Sequence, residues 1–432
     1  MDTPSRHAAL TRLLEISRRL GKSSELTVVL EVIIDALRDL LEADRATVFT
    51  LDKAKAELVI HVAHGVSGTL AREIRIPATQ GIAGACATSQ QIVNIEDAYQ
   101  DARFNPEIDR QTGYRTRSVL AIPLLDHEGE LVGVAQVLNR RGGRFTTDDE
   151  VMAEGIAAQA AVALRRAHLI ADHLEKVVLE REMDVAREIQ TRSFPRWVPV
   201  DAAYDIVGHT TAATQCGGDA YDLFGVRDGT LVAEGESATT LAMLIADATG
   251  HGVGPALSSM QVRAMFRLAM RAQQGLMDTV TAINDQLTDD LPAARFITAW
   301  LGLLDYARAR VECFSAGQGP VFVYRRASDT FEEIESNAPP FGIPIPGEFV
   351  GPPTSILLEP GDILLLLTDG YYEAMDPTGA LWGNSGVQER VRALRDAPVR
   401  AVREALDAAV LAFARAPGTD DDRTAVIIKR LR

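Results

Sequence analysis

Four acidic motifs in the second half of the chain hold the side chains best suited to chemistry. They are Gly217-Gly218-Asp219-Ala220-Tyr221-Asp222, Asp247-Ala248-Thr249-Gly250-His251-Gly252, Thr368-Asp369-Gly370 and Asp420-Asp421-Asp422-Arg423-Thr424. Three set Asp beside Gly or a small residue, and two follow strongly apolar runs at residues 241–246 and 363–367. Such runs read as buried strands, and a carboxylate that follows one sits at the rim of a sheet. Carboxylates gathered at one rim repel each other unless divalent cations neutralise them. A single Asp-Gly pair is more simply a turn. Four such motifs, two of them closing strands, predict a metal site.

The surrounding sequence supplies elements to position them. Residues 298–304 and 311–315 read as strands, 254–271 and 279–287 as helices, and a last strand at 425–428 closely follows the acidic run. In the first half, Leu26, Val29, Leu30, Ile33, Leu37, Leu40 and Leu41 share one face of a helix over 24–41, with Ser24 as its N-cap. Residues 46–51 and 57–62 alternate as one hairpin, and 119–125 and 131–138 as another. These predict an antiparallel sheet flanked by helices and ending near residue 150. From Thr147 to Arg192 no Pro interrupts the helix formers. The Ala-rich stretch through Leu164 is suited to pack on the sheet. Beyond it, Ile170, Leu174, Val178, Val185 and Ile189 keep a seven-residue rhythm, interrupted at Arg181 and Glu182, that predicts a parallel dimer coil. Phe194-Pro195 ends the helix.

Composition narrows the function classes. The 432 residues suffice for about two or three domains. A hydrophobic fraction of 47% and a charged fraction of 24% are those of a globular protein. The net charge of −16 argues against nucleic acid and anionic membrane as partners. No apolar run approaches the roughly 20 residues of a membrane span, and the first residues lack the apolar core of a signal peptide. Cys86, Cys216 and Cys313 are dispersed, which fits buried thiols in a reducing cytoplasm better than a disulfide or zinc.

The acidic motifs recur together with Ala186-Arg-Glu-Ile-Gln190, Phe194-Pro195, Phe296-Ile-Thr298, Ser315-Ala-Gly317, Gly361-Asp362 and Tyr371-Tyr-Glu-Ala374. In this order, from about Glu182 to Arg432, they resemble the SpoIIE-type branch of the metal-dependent protein serine/threonine phosphatases, which includes RsbU-like sigma-factor regulators. The resemblance implies two sheets between helices and two Mn²⁺ or Mg²⁺ ions at one end. Asp219 and Asp247 would be the ligands shared around the pair, Asp369 and Asp421 further ligands, and the Ala248 carbonyl another oxygen donor. Hard oxygen donors suit these cations. The implied chemistry is in-line attack of an activated water on phosphoserine or phosphothreonine, with no covalent phosphoenzyme. Gln318 stands where the family usually has His, and Ala220 where it has an aromatic; neither change removes a proposed ligand. Asp222 reads equally as an accessory ligand or a structural residue, His251 as a residue that fixes its turn, and Glu373 as a support for the turn after Asp369.

In the first half, Gly81-Ile-Ala-Gly84, Asn94-Ile-Glu-Asp-Ala-Tyr99, Arg103-Phe104-Asn105, residues 109–116, and Asn139-Arg140 with Phe145, Asp149 and Glu150 carry a second resemblance. Residues 24–165 are similar to a GAF domain of the kind that binds cyclic nucleotides. The last set matches a signature that braces the fold through an Asn/Lys–Asp pairing, with Arg140 in place of Lys. The likeness implies that Ile82 lines a base pocket and Thr47 its floor, while Asp109, Thr112 and Thr116 come from the lid over cAMP or cGMP. Ala63-His64 replaces an aromatic–Asp pair that helps read the base, and Gln136 replaces an acidic residue.

The expectation is an α+β chain. It has a GAF sensory domain at 1–165, a helical coiled-coil linker at 166–195 and an α-β-β-α sandwich phosphatase domain at 196–432. It would act in the cytoplasm as a homodimer on a phosphorylated STAS-type anti-anti-sigma protein, under control of a small-molecule GAF ligand. The alternative is a catalytically silent, GAF-regulated scaffold that binds a phosphoprotein. Four mutually repelling carboxylates argue against it, because a silent site has no need to keep them.

Overall fold

The computed structural model describes residues 3–23, 25–63, 74–199, 201–292, 294–344, 350–414 and 421–432. Ser24, His64 and Asp420 of the motifs above lie outside these residues. The chain divides into two compact units, Met1–Val178 and Leu179–Arg432.

The first unit contains α1 (Thr3–Lys22), α2 (Leu26–Leu40), β1 (Ala43–Asp52), β2 (Glu57–Ala63), β3 (Ile74–Pro77), α3 (Gly81–Ser89), β4 (Val93–Ile95), α4 (Glu107–Thr112), β5 (Val119–Leu125) and β6 (Leu131–Arg140). Its six strands form one antiparallel sheet in the order β3-β2-β1-β6-β5-β4. Both expected hairpins are present, with Thr50 opposite Val59 and Leu120 opposite Val137. The strands alternate between two apolar clusters, as a sheet covered on both faces must. On one face Val48, Leu120 and Val137 meet Val29, Ile33 and Leu37 of α2. On the other Phe49, Val119 and Val134 meet Ile82 and Cys86 of α3. Glu25, not Ser24, is the N-cap of α2, and it makes no side-chain cap bond. Helix α1 adds an element that the sequence pattern does not announce; its Ile16 and Leu20 join the α2 face.

Helix α5 (Thr147–Ser193) runs for 47 residues, and the division between the units falls within it. Ala153, Ile156, Ala157, Ala160 and Leu164 are buried against the α2 face of the first sheet. From 171 to 182 every residue is exposed, Leu174 and Val178 included. Among the described residues no helix is long and apolar enough to cross a membrane.

The second unit continues with β7 (Tyr204–Thr211), β8 (Asp219–Arg227), β9 (Thr230–Leu231), β10 (Thr240–Ala248), α6 (Val253–Arg271), α7 (Leu276–Asp290), β11 (Ile297–Asp305) and β12 (Arg310–Ala316). It ends with β13 (Val321–Arg325), β14 (Thr330–Ile334), β15 (Thr354–Leu357), β16 (Ile363–Leu367), α8 (Asp369–Tyr372), α9 (Gly383–Ala393), α10 (Val399–Ala414) and β17 (Arg423–Arg430). Two antiparallel sheets result, ordered β15-β12-β11-β10-β8-β9 and β14-β13-β16-β17-β7. Their inner faces share one core, in which Leu241, Met243, Ile245 and Trp300 meet Val323, Leu364, Leu366 and Val426. Helices α6 and α7 cover the outer face of the first sheet through Val262, Phe266 and Ile283. Helices α8 to α10 cover that of the second through Tyr371, Val391 and Leu406. The layers are α-β-β-α. Strands β10 and β16 are buried on both faces, which is why their sequences run apolar without alternation.

Candidate metal centre

Strand register decides which acidic side chains can meet. Asp219 opens β8 and stands directly opposite Asp247 near the end of β10. Leu241, Met243 and Ile245 face the inter-sheet core, so two-residue periodicity turns Asp247 to that side as well. Asp369 follows β16 and Asp421 precedes β17, and these strands pair with Leu367 opposite Ala425. The two rims meet in space: the hydroxyl of Thr368, the residue before Asp369, bonds Asp219, and the charges of Asp369, Asp421 and Asp422 act on Asp247.

Asp219 is buried at 2% exposure. Its Oδ2 accepts the Thr368 hydroxyl at 2.8 Å, and its Oδ1 has no donor. Its carboxyl group is pushed well above the usual range, by burial first and by the Asp247 charge second. Burial, then Asp369 and Asp421, raise Asp247 to about 7. Burial, then Asp421 and Glu373, raise Asp369 to about 6. Asp219 and Asp247 stand opposite each other in the β8–β10 register, and two carboxylates set side by side in a buried site favour a proton or a cation between them.

The surroundings hold this unfavourable cluster in place. Asp422 accepts the backbone N–H groups of Ala213, at 2.8 Å, and of Gly218, and its own N–H donates to Asp421 Oδ1 at 2.8 Å. It braces the Gly217-Gly218 turn and leaves Asp421 exposed at the rim. Gly218 must lack a side chain, because a Cβ there would lie 2.7 Å from the Ala248 carbonyl oxygen and 3.4 Å from Asp247 Oδ1. Thr368 Oγ1 accepts the Thr424 N–H at 2.9 Å, which links the β16 and β17 ends to Asp219. Gln190 of α5, buried at 7% exposure, donates to the Gly217 carbonyl at 2.8 Å.

The donor set fits hard divalent cations: oxygen ligands, a donor-less buried oxygen on Asp219, and the Ala248 carbonyl packed closely against Gly218. Among the described residues no group of three or more His, Cys, Asp or Glu side chains is set to hold an ion. The fit is therefore one of donor chemistry and neighbourhood.

Asp222 belongs elsewhere. It is fully buried on the helix-facing side of β8, where it pairs with Arg263 at 3.1 Å and with Arg267 of α6. Of its two readings the structural one holds. His251 is exposed. Glu373 caps α8 through its backbone, its N–H donating to the Asp369 carbonyl at 2.7 Å. The roles of Gln190, Thr368 and Asp422 emerge only from the structure, since nothing local in sequence marks a long-range hydrogen bond.

The implied ligand residues of the first unit are placed differently. Thr47 lies mid-strand on β1 opposite Gln136, and Ile82 is packed into the α3 cluster. Asp109, at 7% exposure, accepts the Thr116 N–H at 2.6 Å, the Thr116 hydroxyl at 2.8 Å and the Tyr99 hydroxyl at 3.2 Å. Thr112 ends α4, and its side chain lies outside the described residues, as do those of Ala63 and His64. The brace expected of Asn139-Arg140 is present. Arg140 pairs with Asp149 at 2.8 Å, and Asn139 bonds the Arg117 N–H and the Arg115 carbonyl.

Residues 25–164 match the family described as GAF domain, and residues 237–431 match Stage II sporulation protein E (SpoIIE). The chain joins a GAF domain to a SpoIIE-type phosphatase domain. The SpoIIE match begins after Asp219, so the first acidic motif rests on the fold and register described above. A probable 3′,5′-cyclic phosphodiesterase of Caenorhabditis elegans is 34% identical over 167 residues, 36% of this chain and 23% of that protein. The dual 3′,5′-cyclic-AMP and -GMP phosphodiesterase 11A of Takifugu rubripes is 34% identical over 168 residues, 37% of this chain and 19% of that protein. The chain thus spans about a fifth of the length of these curated relatives. The SiaA-PP2C domain of Pseudomonas aeruginosa superposes with a TM-score of 0.47 at 20% identity, covering 59% of this chain and 98% of that one.

Proposed function

We propose that the SpoIIE-type domain is a metal-dependent phosphatase acting on phosphoserine or phosphothreonine. One observation carries the reading: Asp219 and Asp247 from one sheet and Asp369 and Asp421 from the other gather at a common rim, with a buried oxygen of Asp219 lacking any donor. Asp219, Asp247, Asp369, Asp421 and the Ala248 carbonyl would hold two Mn²⁺ or Mg²⁺ ions. When bound, these supply activation of water and neutralisation of phosphoryl charge. The chain's own residues do the positioning. Thr368 fixes one oxygen of Asp219 and leaves the other without a donor. Asp422 holds the Gly217-Gly218 turn, and the exposed Asp421 opens the rim to solvent, where a phosphoprotein loop can reach.

The substrate is a phosphorylated STAS-type anti-anti-sigma protein, by analogy with the SpoIIE family. The GAF domain takes cAMP or cGMP as regulatory ligand, a reading supported by the cyclic-nucleotide phosphodiesterases among the relatives. The exposed apolar stripe of α5 pairs two copies as a coil, and the protein works in the cytoplasm. The test is phosphate release by the full chain from a phosphorylated STAS protein and from an aryl phosphate, with Mn²⁺ or with EDTA. Release that requires Mn²⁺ is expected. Release from neither substrate at saturating Mn²⁺ would leave the silent-scaffold reading.

A further inference from the structure

Gln318 lies in the loop between β12 of one sheet and β13 of the other, and its side chain is buried at 4% exposure. Its Nε2 donates to the Leu367 carbonyl at 3.0 Å, and its Oε1 accepts the Thr298 hydroxyl at 2.9 Å. The orientation of the amide is fixed by chemistry, because the Leu367 carbonyl can only accept and must face the nitrogen. Thr298 stands directly opposite Asp247 in the β10–β11 register. Leu367 ends β16, two residues before Asp369. One planar amide therefore spans from the strand beside Asp247 to the strand that delivers Asp369.

Two other links between the rims occupy a carboxylate of the cluster: Thr368 on Asp219, and Asp422 on Gly218. Gln318 does not. Its loop has further fastenings that do not involve its side chain. The Ser315 hydroxyl donates to the Gln318 carbonyl, the Gly317 N–H to the Ala338 carbonyl at 2.8 Å, and the Tyr372 hydroxyl to the Gly319 carbonyl at 2.8 Å. We infer that Gln318 is a positioning residue, a staple between the two sheets that sets the spacing of Asp219 and Asp247 from Asp369 and Asp421. The inference rests on the metal-centre reading above. Carboxylates that repel would otherwise splay the two rims, and an open cluster binds cations less tightly.

The experiment is calorimetric titration of the full chain with Mn²⁺ alone, beside thermal unfolding in EDTA. Gln318→Met keeps the length and packing of the side chain and removes both hydrogen bonds. It should weaken Mn²⁺ binding by about 10–100-fold, the range for residues that orient metal ligands. Gln318→His can donate from one ring nitrogen and accept at the other, and it should restore affinity to within about threefold. A merely structural role predicts a lowered unfolding temperature with unchanged Mn²⁺ affinity. Should the Met variant fail to fold, Thr298→Val removes the bond to Gln318, with a longer one of 3.4 Å to the Asp247 carbonyl, at little change in shape and should weaken binding by a smaller factor. Unchanged affinity in the folded Met or Val variant overturns the staple while the metal centre stands. No Mn²⁺ uptake by the wild type overturns the metal centre and the staple together.

Discussion

Asp109 of the GAF domain and Asp219 of the SpoIIE-type domain are both buried aspartates, at 7% and 2% exposure. They differ in what meets their oxygens. Asp109 has donors on both: the Thr116 hydroxyl on one, the Thr116 N–H and Tyr99 hydroxyl on the other. Asp219 has a donor on one oxygen and none on the other, with the charge of Asp247 acting on it. A buried carboxylate satisfied on both sides closes a loop; one that faces other carboxylates awaits a cation. The two family resemblances mark both residues as ligand contacts, and only Asp219 is placed with an oxygen to spare.

The largest expected effect breaks or keeps that contrast outright. Asp247→Ala and Asp369→Ala should each abolish Mn²⁺-dependent turnover, a loss well beyond the roughly 10–100-fold that even outer-sphere residues cost. The chain should stay folded by circular dichroism, since removing one of several repelling charges relieves the cluster. Thr116→Val, at the closed aspartate, should leave basal hydrolysis unchanged. Near-wild-type rates for both Ala variants in Mn²⁺-replete buffer would end the metal reading.

A smaller effect concerns the helix that spans the division between the two units. Leu174 and Val178 are exposed at 58% each, an unfavourable setting that a second copy of α5 would relieve. Replacing both with charged residues should convert a dimer to a monomer in sedimentation velocity. A monomeric wild type, or an unchanged dimer in the double variant, counts against the coil. Breaking the helix with Val178→Pro should leave nucleotide binding and basal hydrolysis measurable while uncoupling them. A tenfold response needs about 1.4 kcal/mol of differential binding, within the usual range of allosteric coupling. If neither cAMP nor cGMP binds or alters the rate, the GAF domain serves another ligand or dimerisation alone.

Much of this architecture is legible from local pattern. Alternation at 46–51 and 57–62 marks the first hairpin because one residue in two faces each apolar cluster. The unbroken runs before Asp247 and Thr368 mark central strands because both their faces are covered. The carboxylates at the ends of those runs are legible for the same reason. Helix α1 is not: Arg and Glu are interspersed among its apolar residues, and only Ile16 and Leu20 of its described side chains are buried. The staple at Gln318, the brace at Asp422 and the arginine pair that claims Asp222 depend on partners between 20 and 209 positions away. No spacing rule reports such contacts. The Asp109 clamp is hidden in another way, since its partner Thr116 itself reads as a lid residue.

The finest test sets one substitution at both aspartates and asks for opposite signs. Asp109→Asn replaces one acceptor oxygen with an N–H₂ group that must face a donor of Thr116 or Tyr99. The three donors keep one neutral acceptor oxygen in place of two charged ones, at a cost of about 1–3 kcal/mol. Asp219→Asn acts the other way in metal-free protein. It removes the need for a proton on one of the two carboxyl groups, its oxygen can still accept from Thr368, and its new N–H₂ is available to the Asp247 carboxylate. Thermal unfolding in EDTA should therefore show a lowered transition for Asp109→Asn and a raised one for Asp219→Asn, with the Mn²⁺-induced stabilisation lost only in the latter. Destabilisation by both would mean that the Asp219 cluster is satisfied as it stands, and the contrast between the two aspartates would collapse.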